Sequence, residues 1–152
     1  MIKMPALNVA YLRIVNAYAE GRVVAGFDRM MGWAKQRGFD RAGALIGMSQ
    51  DDPDITPLEK YRYDVCYTVP ENTAPEGDIG VRRLPANRYA CLRIQGDFQA
   101  MVEGWDYLFK LWLPNSQYQP THDPAMEVYI KTPAEIGWSE FDFNACIPVT
   151  EL

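Results

Sequence analysis

VAYLRI at residues 9–14 and YACLRI at residues 89–94 are nearly the same stretch, repeated 80 residues further along the chain. Both are typical of short β-strands. Each is followed by apolar residues at helical spacing, in VVAGFDRMMGWAKQRG (23–38) and DFQAMVEGWDYLFKLWLP (97–114). The sequence therefore predicts the same strand and helix twice.

The two predicted helices have recognisable ends. Gly38 is expected to end the first helix, while Asp97 caps the start of the second and Pro114 ends it. Both helices carry an apolar stripe, and the two stripes match each other. Their members are Val24, Phe27, Met31 and Ala34 in the first helix and Val102, Trp105, Phe109 and Trp112 in the second.

Each half adds two further apolar runs after its helix. They are ALIGMS (44–49) and YDVCYTV (63–69), then MEVYIK (126–131) and FNACIPV (143–149). The chain is thus a duplicated β-α-β-β unit with repeats at about 7–70 and 79–150, and IGVRRL (79–84) leads into the second repeat. We predict a single α+β domain over residues 1–152, with a mostly antiparallel sheet, pseudo-twofold symmetry and a ligand groove between the halves.

The composition argues against several classes of protein. A net charge of −5 and a pI of about 4.9 do not suit a surface that holds phosphates, so we expect no direct nucleic-acid binding. No apolar run reaches the roughly 18 residues of a membrane helix and no leader opens the chain, so we expect no membrane partner and a cytoplasmic location. Cys66, Cys91 and Cys146 form no C-x-x-C pair and His122 is the single histidine, so we expect free thiols and no metal. No phosphate-loop or dinucleotide motif is present, and no cofactor is expected.

The stretch DDPDITPLEKYRYDVCYTVP (51–70) resembles the GyrI-like small-molecule-binding family, which also supplies the effector-binding domain of many AraC-type and multidrug-sensing regulators. A Glu-Val-Tyr strand near the end (127–129) and the start AYLRI (10–14), followed by a helix ending in WAKQRG (33–38), are similar to the family as well. The residues that carry the first motif are Asp52, Pro53, Thr56, Pro57, Glu59, Lys60, Arg62 and Asp64.

This resemblance implies a duplicated β-α-β-β fold with a ligand groove between its halves. Family ligands are often hydrophobic cations, held by aromatic rings around an acidic residue. Members act in transcription control through an attached DNA-binding domain, in binding and inhibition of DNA gyrase, or in hydrolysis of electrophilic toxins. Because no DNA-binding segment is found here, a freestanding module is expected.

The strand AMEVYIK (125–131) supplies the predicted acidic residue. Since side chains alternate across a sheet, Glu127 and Tyr129 share one face. The apolar set Met126, Val128 and Ile130 is expected to lie on a helix, so that Glu127 points the other way, towards the junction of the halves. The alternative is an ordinary surface glutamate.

Aromatic residues are numerous, with four Trp, nine Tyr and six Phe. The predicted ligand-binding residues are Glu127, Trp105, Phe109, Tyr89, Tyr129, Tyr63, Tyr11 and Trp138, and no catalytic residue is predicted. The stripe that holds Trp105 and Phe109 is, however, more often a core face than a ligand cage. The tyrosines that share one strand face, Tyr61, Tyr63 and Tyr67, fit either a core or a groove wall, since each hydroxyl needs a partner.

Arg62 and Asp64 share the strand face opposite to these tyrosines. The family motif implies a structural role for them, pinning the acidic loop to the sheet through a hydrogen-bonded ion pair. The run DDPD (51–54) lacks the spacing of a calcium loop, and turn formation explains it better. His122 and Asp123, in a loop bounded by prolines, are expected to be solvated.

Three functions remain open, and we favour the first. It is a binding module for lipophilic, cationic small molecules, without chemistry. The second is a hydrolase of electrophilic small molecules in which Glu127 is the general base and a tyrosine donates a hydrogen bond. The third is a protein-binding module that acts on DNA gyrase. A separate regulator is a further conceivable partner, and a homodimer formed through an edge strand or helix face is also left open.

Overall fold

The computed structural model describes residues 1–41, 43–52 and 55–152. The strands are β1 (Ile2–Met4), β2 (Leu7–Val15), β3 (Leu45–Ser49), β4 (Arg62–Thr68), β5 (Ile79–Leu84), β6 (Asn87–Gly96), β7 (Tyr118–Pro120), β8 (Met126–Lys131) and β9 (Phe141–Glu151). The helices are α1 (Arg22–Gln36), α2 (Phe98–Asp106) and α3 (Pro133–Ile136), with 3₁₀ turns at Phe39–Arg41 and Leu58–Lys60 and a π-helical segment at Tyr107–Trp112. The chain packs as two compact units: the first unit is Ala6–Pro85, and the second unit is Met1–Pro5 together with Ala86–Leu152.

The first unit is an antiparallel sheet with strand order β3-β4-β2-β5. Helix α1 packs on one face of this sheet. Gly26 lies so close to Ile14 of β2 and Val65 of β4 that an added Cβ would collide with the Ile14 side chain. Because Gly26 lacks a side chain, the helix can approach the sheet closely. Phe27 then reaches Tyr63 of β4, with ring centroids 6.1 Å apart.

The second unit repeats this arrangement with strand order β8-β9-β6-β1, and the short β7 pairs with the end of β9. Helix α2 packs on one face. A Cβ added at Gly104 would approach Ile94 of β6 to 2.6 Å, so a glycine again allows close contact. Beneath the helix lies a core cluster of Ala90, Ile94, Leu108, Phe143, Ala145, Ile147 and Val149.

The matching strand orders confirm the predicted duplication and the mostly antiparallel α+β fold. The run at 79–84 forms β5, which pairs with β2 and completes the first unit. In the second unit the corresponding place, beside β6, is taken by β1 from the start of the chain. Strands β1 and β7 and helix α3 were not predicted from the sequence, because each has only three or four residues.

The predicted helix ends are confirmed. The Asp97 carboxylate accepts a hydrogen bond from the backbone N–H of Ala100 at 3.0 Å, and Gly38 follows α1 with a φ of +76°. The second helix changes to π geometry before Pro114, since the N–H of Leu113 donates to the carbonyl of Leu108 at 2.9 Å. Among the described residues, no helix combines the length and apolar character needed to cross a membrane.

Candidate functional site

Glu127 lies on β8 directly opposite Ala145 of β9, and Tyr129 lies opposite Phe143. Glu127 is half-buried. Ala145 and Phe143 belong to the core cluster beneath α2, so Glu127 and Tyr129 lie on the face of the sheet that the helix covers. That the two share a face was predicted correctly.

The expectation that Met126, Val128 and Ile130 lie on a helix is wrong. The pairing register with β9 turns Met126 and Val128 to the opposite face, where Met126 is 1% exposed. Ile130 lies at a register irregularity between Tyr129 and Lys131 and is 44% exposed. Alternation along one strand defines two faces, but the register with the neighbouring strand decides which face the helix covers.

Five aromatic residues on the covered face form what we call the aromatic cluster: Trp105, Phe109, Tyr129, Phe141 and Phe143. Phe143 is fully buried at its centre. Its ring centroid lies 5.5 Å from that of Tyr129 and 6.5 Å from that of Trp105, which stacks on Phe109 at 5.8 Å. Aromatic pairs at such distances stabilise one another. The cluster therefore connects α2 to the strand that carries Glu127.

The predicted stripe on α2 is only partly the core face of the helix. Leu108 belongs to the core cluster, and Gly104 lies against Ile94. Met101, Trp105 and Trp112 pack against the cluster. Val102 and Phe109 are 42% and 43% exposed, while Trp105 and Trp112 are half-buried. Two residues of the stripe, Trp105 and Trp112, thus pack against the core, while Val102 and Phe109 are exposed, so the core interpretation describes only part of the stripe.

Four of the eight predicted ligand-binding residues therefore share one face of the second unit, namely Glu127, Trp105, Phe109 and Tyr129. Tyr89 of β6 is buried on the opposite face, beside Pro148, and burial raises the pKa of its hydroxyl. Trp138 follows α3 and is 36% exposed.

The remaining two, Tyr63 and Tyr11, belong to the first unit. Tyr63 faces α1 and is buried beside Phe27. Tyr11 lies on the face of β2 opposite to α1, and the guanidinium carbon of Arg82 lies 4.9 Å from its ring centroid. The role of Tyr63 and Tyr11 in ligand binding stays a prediction.

The tyrosine face of the first unit is buried. Tyr61, Tyr63 and Tyr67 are between 3% and 9% exposed. The Tyr67 hydroxyl donates to the carbonyl of Gly43 at 3.3 Å, and the Tyr61 ring lies 4.7 Å from that of Tyr18. Burial raises the pKa of Tyr61 to about 12. In the described structure, this face is therefore part of the core.

Charged side chains connect the sheet of the first unit to its acidic loop. Arg62 donates to both carboxylate oxygens of Asp51, at 2.9 and 3.0 Å, so the predicted pinning of this loop is confirmed for Arg62 but not for Asp64. Asp64 pairs with Arg13 and Arg82 rather than with Arg62, at 2.9 and 3.4 Å. Pro53 and Asp54, which belong to the predicted motif and loop, lie outside the described residues.

The second unit has a similar ion pair, which was not predicted from the sequence. Arg93 of β6 donates two hydrogen bonds to Asp142, both at 3.0 Å. These bonds hold the pKa of the Asp142 carboxyl below its usual range. The repeated Leu-Arg-Ile at 12–14 and 92–94 was the available signal, since each copy contributes an arginine to such a pair.

Two surface cavities have volumes of about 320 and 470 Å³. The first is lined by Gly38, Phe39, Gly43, Thr68, Val69 and Pro70, and the second by Asn87, Arg88, Thr121, Val149, Thr150 and Glu151. Neither lining includes Glu127 or a ring of the aromatic cluster. Within the described part of the chain, no group of three or more His, Cys, Asp or Glu side chains is arranged to hold a metal ion.

Comparison with known proteins identifies the family. Residues 1–150 match the GyrI-like small molecule binding domain. This chain belongs to the GyrI-like family. The DNA gyrase inhibitor of Escherichia fergusonii is 35% identical over 148 residues, which cover 93% of this chain and 91% of that protein. The resemblance inferred from the acidic loop and the Glu-Val-Tyr strand is therefore confirmed.

Solved structures of two proteins share the fold. The C-terminal domain of EcmrR matches with a TM-score of 0.75 and 15% identity, covering 99% of this chain and 96% of that domain. This chain spans 56% of the EcmrR chain that was solved in complex with DNA. SAV2435, solved bound to tetraphenylphosphonium, matches with a TM-score of 0.66 and 14% identity, covering 98% of this chain and 92% of SAV2435.

Proposed function

We propose that this GyrI-like domain binds lipophilic organic cations on the surface formed by Glu127 and the aromatic cluster. The observation that carries the proposal is that a half-buried carboxylate and several rings share one face of the second unit, while Phe109 remains 43% exposed. A flat aromatic cation can stack on such exposed ring surface.

Charge provides the selectivity. A partly desolvated carboxylate is costly to keep ionised, and a cation brought close to it offsets that cost. Each ring face adjacent to the cation adds about 0.5–2 kcal/mol. A neutral ligand of the same shape would leave the carboxylate without this compensation. The site would therefore select for positive charge and apolar surface rather than for one molecular shape.

The comparisons agree with this chemistry. SAV2435 has the same fold and was solved with tetraphenylphosphonium, a lipophilic cation. The low identity limits that likeness to the fold, so the residues of the present chain carry the argument.

The test is a calorimetric titration of the full chain with tetraphenylphosphonium. We expect the wild type to bind it and to ignore tetraphenylborate, an anion of nearly the same shape. Glu127→Gln should weaken cation binding at least tenfold, about 1.4 kcal/mol. Glu71→Gln is the matched control, because it makes the same change on an exposed loop of the first unit, and it should leave affinity unchanged.

Two results would contradict the proposal. Equal affinity of the wild type and Glu127→Gln for the cation would mean that Glu127 does not contribute to cation binding. Equal binding of tetraphenylphosphonium and tetraphenylborate would mean that apolar contact alone drives association. The hydrolase alternative is tested by incubating the chain with electrophilic small molecules and following them by mass spectrometry. Turnover that depends on Glu127 would favour catalysis over simple binding.

A second candidate function is inhibition of DNA gyrase. It is favoured by the gyrase inhibitor of Escherichia fergusonii, which is 35% identical across nearly the whole chain. This function predicts that the purified chain lowers the supercoiling activity of purified gyrase and forms a complex with it. If gyrase neither binds nor is inhibited while the cation binds, the two functions are separated.

A further inference from the structure

Two of the three cysteines face each other across neighbouring strands. Cys91 of β6 and Cys146 of β9 are direct partners in the antiparallel register, and their sulfur atoms lie 2.7 Å apart. Both are free thiols. Two sulfur atoms that are not bonded are ordinarily further apart, so these two sulfurs are already within reach of forming a bond.

The strand geometry permits a bond between them. Residues directly opposite each other on antiparallel strands have Cα atoms about 4.5–5.5 Å apart. Disulfides span Cα separations of about 4.4–6.8 Å. The Cα separation typical of such a register pair therefore lies within the range that disulfides span.

The corresponding position in the first unit provides an internal comparison. There Cys66 of β4 lies opposite Tyr11 of β2, so the same register position holds only one thiol. Cys66 is completely buried, and burial raises its pKa to about 12. Cys66 is thus an unreactive reference thiol within the same chain.

We propose that Cys91 and Cys146 form a site of reversible oxidative modification, in which a peroxide converts the two thiols into a cross-strand disulfide. The site is independent of the proposed ligand surface. The two cysteines lie on the opposite sheet face from Ala145, the residue that pairs with Glu127, so either proposal can fail without the other.

The chemistry balances with the peroxide as the only oxidant. The Cys91 thiolate attacks one peroxide oxygen, forms a sulfenic acid and releases hydroxide, which takes up a proton. The Cys146 thiol then attacks the Cys91 sulfur, forms the S–S bond and expels water. In sum, two thiols and one hydrogen peroxide give one disulfide and two waters.

The surroundings assign the first step to Cys91. Cys91 is partly exposed, whereas Cys146 is buried, so the peroxide meets Cys91 first. The hydrogen bond between the two sulfurs holds the pKa of Cys91 below its ordinary value and raises that of Cys146. A lowered pKa increases the thiolate fraction, which is the reactive form. Cys146, held beside it, is placed to resolve the sulfenic acid.

The test treats the full-length wild type with hydrogen peroxide and follows its intact mass and its free thiols after unfolding. We expect a mass lower by two hydrogen atoms, the loss of two of the three thiols, and restoration of both by dithiothreitol. A non-reduced digest should link the peptides that contain Cys91 and Cys146. Cys66→Ser should still form the link, and Cys91→Ser should form none.

Several results would overturn the proposal. They are three thiols that survive the treatment, oxygen added to Cys91 without a link, a link that includes Cys66, or a disulfide between two copies of the chain on a non-reducing gel. Because the decisive measurement uses the wild type, misfolding of a serine variant would not obscure it.

Discussion

Asp64 is completely buried although it carries a charge, and two arginines surround it. Arg13 donates to both of its oxygens at 2.9 Å, and Arg82 approaches one of them at 3.4 Å. A buried carboxylate is tolerated only when such partners replace its lost hydration. Asp64 therefore holds together strands β2, β4 and β5 on the face of the first unit away from α1.

Replacing this carboxylate should be costly. Asp64→Asn removes the charge while two arginines remain around the site, so the free energy of unfolding should fall by about 3 kcal/mol. Asp78→Asn is the matched control, because Asp78 pairs with Arg29 at the exposed surface. Its effect should stay within about 0–1 kcal/mol. Urea denaturation measures both, and equal losses in the two variants would contradict this role of Asp64.

The sequence predicted some of these residues and not others for a physical reason. Glu127 and Tyr129 are two positions apart on one strand, and alternation alone gives them a common face. The partners of Asp64 could not be read in the same way, because Arg13 lies 51 residues away and meets it only through strand pairing. Contacts between strands depend on the register, which one strand does not encode.

At the scale of elements, helices α1 and α2 each have a glycine at the corresponding position. Gly26 of α1 lies against Ile14, and Gly104 of α2 lies against Ile94. The glycine and isoleucine are repeated together in the two halves of the sequence. Each glycine sets how closely its helix approaches the sheet, and in the second unit this distance also determines where Trp105 meets Phe143.

Two substitutions of glycine by alanine should have opposite effects. Gly104→Ala puts a methyl group against Ile94, and such overpacking should lower the free energy of unfolding by about 1–3 kcal/mol. Gly32→Ala lies in α1 with no atom within 4 Å of the added Cβ. It should raise stability by about 0.5–1 kcal/mol through helix propensity. Thermal or urea denaturation tests both, and a stabilising Gly104→Ala would refute the close contact.

The positions of the helices and strands were largely predictable from the sequence, but the face of each that packs against the core was not. The apolar stripe of α2 has the correct spacing, yet only two of its four residues, Trp105 and Trp112, pack against the core. Met101 and Leu108, which lie outside the stripe, pack there as well. Adjacent stripes on one helix can both be apolar, as Val102 and Phe109 are here. Packing against Ile94 selects between them, and a single helix does not reveal that choice.

At the scale of the whole molecule, several carboxyl groups in both units are stabilised in their charged form. Arg62 lowers the pKa of Asp51 by hydrogen bonding, Arg93 does so for Asp142, and Trp33 and Arg37 do so for Glu76. A carboxyl whose pKa is lower in the folded state stabilises the fold above its ordinary pKa. This stabilisation is lost as the pH falls through the folded pKa.

The chain should therefore lose stability in acid. We expect the free energy of unfolding to decline from about pH 5 downwards. The difference in the free energy of unfolding between the wild type and Asp142→Asn should be constant near neutral pH. It should shrink below pH 3.8, the ordinary pKa of an aspartate carboxyl. Arg93→Gln should behave in the same way, because it removes the cause of the shift. Urea denaturation across pH measures these differences, and a difference that is unchanged at pH 3 would contradict the assignment.

The pairing of β1 with β6 has a consequence for folding during synthesis. The first unit is a continuous stretch, so all of its residues are available once residues 6–85 have left the ribosome. The second unit needs residues 1–5 as well as the last part of the chain, which at about 5–20 residues per second takes on the order of 3–13 s longer. The partner strand β6 is made early in this interval, but β8 and β9, which complete the sheet of the second unit, are made last, so residues 1–5 remain outside a complete sheet until then. A strand of only three residues that includes Lys3 has a low tendency to aggregate in this interval, because short and charged edge strands resist pairing with other nascent chains.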